Sequence, residues 1–93
     1  MNEGTTIVKR LPGYSEPYNE QKLFASIYAS CLSVRTPIGS AEMIAQKVCR
    51  ALTPWLAKKP EITSADIRRK TSEHLAAYHP EAAYIYKNHR MML

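Results

Sequence analysis

Cysteine is scarce in this chain. Cys31 and Cys49 are the only two in 93 residues. They show neither CxxC nor zinc-site spacing and are too few for a disulfide framework, which fits a reducing compartment. Long hydrophobic runs are missing as well: no window of about 18 apolar residues occurs, so no membrane-spanning helix is expected. The opening MNEGTT has no basic stretch leading into an apolar run, so no signal peptide is read and a cytoplasmic protein is expected. Repeats and low-complexity tracts are absent. Acidic residues are in deficit, eight against thirteen Lys and Arg, leaving a net charge of +5 and a pI near 9.4. Such a surface attracts anions, phosphate first among them. The length excludes a large enzyme and allows one core, while 45% hydrophobic and 23% charged residues are ordinary for a folded domain.

Local patterns give the order of elements. Thr5–Arg10, TTIVKR, is a β-branched run that suits a short strand, and Leu11-Pro12-Gly13 turns the chain. Tyr14–Tyr18 then returns as a second strand, confined to an edge because Pro17 has no N–H to donate. Asn19 is placed as an N-cap, with Glu20 in the first turn and an apolar stripe of Leu23, Ile27 and Cys31 beside Phe24, Tyr28 and Leu32. The segment RTPIG, 35–39, ends that helix, and Ser40 is the expected cap of the next. There Ile44, Val48, Leu52 and Leu56 form one row, with Met43, Ala51 and Trp55 alongside. Pro54 predicts a kink or an early stop around Thr53. Thr63 and Asp66 read as a shortened capping box, with Ile62 and Ile67 as its hydrophobic staple. A third helix runs from there to about Tyr78, its apolar face carried by Ile67, Thr71, Leu75 and Tyr78. His79-Pro80-Glu81 opens a fourth. The expected class is α+β, mostly α: a small β-hairpin or three-stranded sheet capping a four-helix bundle, in a single domain spanning residues 1–93 with its core at about 7–90.

No nucleophile, base and orienting group are marked out together, so catalysis is disfavoured. His74 and His79 are five apart, off the i, i+4 spacing of a helical ligand pair, and His89 stands alone, so no metal site is expected. Cys31 and Cys49 lie on apolar helix faces and read as small core residues. The informative cations are Lys9 and Arg10 at the end of the first strand, Lys22 in the first turn of the first helix, and Arg68 early in the third. A helix start carries exposed N–H groups and the positive end of the dipole, so a cation there is misplaced unless an anion joins it. Three or four charged hydrogen bonds of about 1.5–3 kcal/mol each would reach the roughly 8 kcal/mol of a micromolar phosphate site after ordering costs. On spacing alone, ordinary solvated lysines and arginines are the plainer reading.

The order of motifs adds to this. IVKR followed by a Gly turn and EPYNEQKL, then ITSADI, then AAYIY, resembles the ATP-cone over Ile7 to about Arg90. That family is an allosteric nucleotide-binding module of ribonucleotide reductase large subunits and of the repressor of reductase operons. The resemblance implies a non-catalytic ATP- or dATP-binding regulatory domain, with Mg²⁺ a candidate companion of the phosphates. Its partners would be a second copy or a larger reductase or regulator. It places Ile7 and Val8 against the nucleotide, Lys9, Arg10 and Lys22 on phosphates, and Glu16 and Asn19 near adenine. Ser64 and Arg68 approach phosphates and sugar, and Lys87 follows from the last helix. Two features depart from the family: Leu11-Pro12-Gly13 is one residue longer than its Asp-Gly turn, and Pro54-Trp55 falls where its second helix continues. The alternative is a small basic module for nucleic acid or transcriptional regulation, meeting DNA through Arg68, Arg69 and Lys70. A third reading is a protein-binding module with a degenerate, empty cone.

Overall fold

A computed structural model describes the backbone of residues 6–8 and 15–88 and the side chains of residues 17–88. The Leu11-Pro12-Gly13 turn, Lys9 and Arg10 lie outside the described residues. The elements run β1 (Thr6–Val8), β2 (Ser15–Pro17), α1 (Glu20–Ser33), α2 (Ile38–Ala57), β3 (Glu61–Thr63), α3 (Ser64–Tyr78) and α4 (Pro80–Asn88).

The expected α+β class, with a hairpin or sheet capping the bundle, is corrected. Over residues 17–88 the chain is 81% helical and β3 is the one complete strand. The backbones of β1 and β2 do pair alongside β3, in the order β2-β1-β3, but every strand is three residues long. With side chains alternating between faces, β3 turns one residue, Ile62, into the core and leaves Glu61 and Thr63 exposed. Three residues cannot form an apolar layer, and Pro17 lacks the donor that would extend β2. The fold is mostly α, and among the described residues the three short strands form no layer over the bundle.

The helices form a ring: α1 packs on α2 and α4, and α3 packs on α4 and α2. Leu23, Ile27 and Cys31 of α1 meet Val48, Leu52 and Leu56 of α2, with Ile67 and Leu75 of α3 and Tyr86 of α4 closing the core. Tyr78, expected on the apolar face of α3, is 49% exposed, and Met43 and Leu32 also point outward. Asn19 caps α1 through Oδ1, which accepts from the N–H groups of Gln21 (2.9 Å) and Lys22 (3.3 Å). The α3 capping box is complete: the Asp66 N–H donates to Thr63 Oγ1 (3.0 Å) and the Thr63 N–H donates to Asp66 Oδ2 (3.5 Å). Ile62 and Ile67 are both buried beside it.

Other expectations at the helix ends are corrected. Ser40 does not cap α2: the N-cap position is Pro37, with no side-chain bond, and Ser40 lies inside the helix. Pro37 has an extended backbone, and its carbonyl already accepts from the Ala41 N–H at 2.8 Å, so the helix begins two residues before Ser40. Nor does α2 stop at Thr53. It continues to Ala57 with Pro54 inside it. Thr53 Oγ1 donates to the Cys49 carbonyl (3.2 Å), and Trp55 packs on the core with the Lys59 and Lys70 ammoniums each 5.9 Å from its ring. Packing of the last turn thus outweighs the hydrogen bond lost at proline.

The far end of α1 stores strain. Arg35 has φ 65°, and the Arg35 and Thr36 N–H groups bond the carbonyls of Leu32 (2.9 Å) and Cys31 (3.1 Å), a Schellman ending with arginine in the left-handed position. A side chain there costs about 1 kcal/mol relative to glycine. Arg35→Gly is therefore expected to raise stability by roughly 0.5–1 kcal/mol, read as a higher midpoint in urea; a lower midpoint would contradict this ending of α1.

Candidate functional site

One contact fixes which helix starts share an end of the ring. His79, in the turn between α3 and α4, bonds Thr36, in the loop between α1 and α2, through Nε2 and Oγ1 at 2.9 Å. Both turns therefore lie at one end. The starts of α1 and α3, which are 14 and 15 residues long, lie at the other. Asn19 and Lys22 on the first turn of α1 and Ser64 and Arg68 on the first turns of α3 accordingly occupy the same end, on helices that sit diagonally in the ring.

The backbone of β1 runs parallel to β3, pairing Ile7 with Ile62 and Val8 with Thr63. Since Thr63 is both the last residue of β3 and the cap of α3, Ile7 and Val8 lie beside the start of α3. Glu16 pairs with Ile7 from β2. The side chains of Ile7, Val8 and Glu16 lie outside the described residues. Lys87 is exposed in the last turn of α4. Asn19 commits its oxygen to the helix cap, so the part left to address a ligand is its amide nitrogen, a donor.

Charge on α3 is unevenly shared. Arg69 Nη1 lies 3.4 Å from Asp66 Oδ1 and its Nε 4.0 Å from Glu73 Oε2; Lys70 Nζ lies 4.0 Å from Glu73 Oε1. Arg68, half-buried, has no ion pair among the described residues. Asp66 is held below the usual aspartate range by its hydrogen bonds with Thr63, with Arg69 adding to the effect. Ser64 and Arg68 are four apart and lie on one row of α3.

Toward the core the ionisable groups become reluctant to charge. Burial, helped by the Glu20 carboxylate, pushes the Cys49 thiol up to about 12, and burial raises Cys31. Tyr18 is pushed up by burial and by neighbouring Cys49. Tyr86 is pushed up to about 12 by burial, partly offset by Thr71 and Arg68. Thiols held protonated are poor nucleophiles and poor metal ligands. Among the described residues no three His, Cys, Asp or Glu side chains group as for a metal, and no helix is long and apolar enough to cross a membrane.

Sequence reasoning missed two features. A cleft of about 340 Å³ between α1 and α2 is lined by Glu20, Gln21, Phe24, Gln46, Cys49 and Arg50. None of Asn19, Lys22, Ser64, Arg68 and Lys87, the nucleotide-site candidates whose side chains are described, lines it, and its Phe24 and Cys49 carry the same apolar signal as core residues. The other is the pair Thr71 and Tyr86, which sit at core positions on different helices with their hydroxyls facing each other. No protein-family model, curated protein or solved structure matches this chain.

The thiols give a direct check. At about pH 8 the folded protein should react slowly with iodoacetamide at both Cys31 and Cys49, and both should react fully in guanidinium. Rapid labelling of Cys49 in the folded state would contradict its protonated, enclosed environment.

Proposed function

We propose that this protein is a non-catalytic regulatory module that binds ATP or dATP at the end of the bundle where α1 and α3 begin. The observation that carries the reading is that Arg68 makes no ion pair among the described residues. On a helix where Arg69 and Lys70 are neutralised by Asp66 and Glu73, Arg68 has no acidic partner among the described residues and stands one turn after Ser64. A guanidinium beside a helix start suits a phosphoryl group, which takes up both its charge and the unbonded N–H groups of the first turn. Lys22, on the start of α1 at the same end, is the second phosphate ligand. Lys9 and Arg10, which follow β1 in sequence, are further phosphate ligands by the resemblance to the ATP-cone. Glu16 and the Asn19 amide nitrogen address adenine, Ile7 and Val8 lie against the nucleotide, and Lys87 is the outermost contact. Mg²⁺ accompanies the phosphates.

Such a module regulates by binding nucleotide more tightly in one assembly state than in another, the partner being a second copy or a larger reductase or regulator. For the nucleic-acid reading, Arg69 and Lys70 would have to exchange their Asp66 and Glu73 contacts for a phosphate backbone.

Calorimetric titration with ATP and dATP should give saturable binding. Lys22→Ala and Arg68→Ala should each weaken it tenfold or more, about 1.4 kcal/mol. DNA binding that falls steeply with salt and ignores ATP would support the alternative. The absence of heat and of chemical-shift change at millimolar ATP would refute the nucleotide reading.

A further inference from the structure

The cleft between α1 and α2 takes no part in the nucleotide site. The two helices are joined by residues 34–37 and pack along one another, so they run antiparallel and the first turn of α1 lies beside the later half of α2. The lining residues repeat at helical spacing on both walls: Glu20, Gln21 and Phe24 on α1, and Gln46, Cys49 and Arg50 on α2. A volume of about 340 Å³ is that of a small-molecule site and far exceeds a packing void.

Polar and apolar groups are sorted within it. Cys49, 2% exposed, and the half-buried Phe24, whose ring stacks on Tyr28 with centroids 6.2 Å apart, form its apolar surface. The Cys49 thiol stays protonated and adds no charge. The other four lining residues are exposed and polar. Glu20 and Arg50 bring one charge of each sign from facing helices, and neither makes an ion pair among the described residues. The Glu20 carboxylate is near the floor, since it helps to raise the thiol. Gln21 and Gln46 add amides that both donate and accept.

Charge balance decides what fits. One carboxylate and one guanidinium sum to zero, so a polyphosphate meets repulsion from Glu20 along with attraction from Arg50. A hydrocarbon gains from neither charge, and a simple cation or anion gains from one. A small zwitterion with an apolar body gains from both and from the floor. We infer that the cleft binds a free aromatic α-amino acid, its ammonium on Glu20, its carboxylate on Arg50 and its ring against Phe24 and Cys49. A planar guanidinium can hold a carboxylate through two parallel N–H bonds, which fixes the orientation of the ligand. The inference is independent of the nucleotide reading, because no residue is shared between the two sites.

The test is an amide NMR titration of the full chain with three probes: L-phenylalanine, phenethylamine, which lacks the carboxylate, and phenylpropionate, which lacks the ammonium. It is repeated on Glu20→Gln and Arg50→Gln, both changes at exposed positions. L-phenylalanine should give saturable shifts at Gln21, Phe24, Gln46, Cys49 and Arg50, and each analogue should bind about tenfold more weakly. Glu20→Gln should weaken phenethylamine and leave phenylpropionate unchanged, and Arg50→Gln should do the reverse. No saturable shift at millimolar L-phenylalanine would overturn the inference, as would shifts centred outside the cleft. Equal binding of the three probes, or variants that weaken both analogues alike, would overturn it too. None of these results bears on ATP binding, which is read in its own titration.

Discussion

The reciprocal bonding of Thr63 and Asp66 is the constraint on which the candidate face depends. Thr63 ends β3 and caps α3 with no residue between, so the backbone pairing with Val8 and the first turn of the helix are fixed by one side chain and its partner. Ile62 anchors the junction in the core and Ile67 holds the other side of the cap. From that start the helical repeat carries Ser64, Arg68 and Thr71 down a single row, from the helix start into the interior.

What the row can do follows from how its charges are shared. Asp66 and Glu73 draw off Arg69 and Lys70, both exposed or partly so, and exposed pairs of this kind contribute little to stability. Their effect is electrostatic sorting, since they leave Arg68 as the cation of α3 with no internal partner among the described residues. At the opposite end of the ring, His79 ties the two turns together through Thr36, and Arg35 ends α1 in a strained left-handed conformation. The turn end is thus cross-linked by a side-chain bond, while the end that carries the candidates has cations and helix starts.

Much of this was legible in the sequence where a local rule is strong. Asn19, the Thr63–Asp66 box and the Ile62/Ile67 staple are short-range patterns whose chemistry is complete within four or five residues. The buried rows of α1 and α2 followed from spacing. The errors came where tertiary packing overrides local rules. Trp55 and its lysines keep α2 intact past Pro54, Tyr78 turns outward at the end of α3, and β3 stays three residues long with Ile62 as its one inward side chain. The hydroxyls of Thr71 and Tyr86 were invisible as a pair because they are 15 residues apart on different helices, each at a position that reads as core.

The central claim is that nucleotide binds at the end of the bundle where α1 and α3 begin. An amide NMR titration of the full chain with ATP tests it most directly. The account predicts saturable shifts concentrated at Thr63, Ser64 and Arg68 at the start of α3 and at Asn19 and Lys22 at the start of α1. Shifts confined to the cleft residues Gln21, Gln46 and Arg50, or no shifts at all, would contradict it.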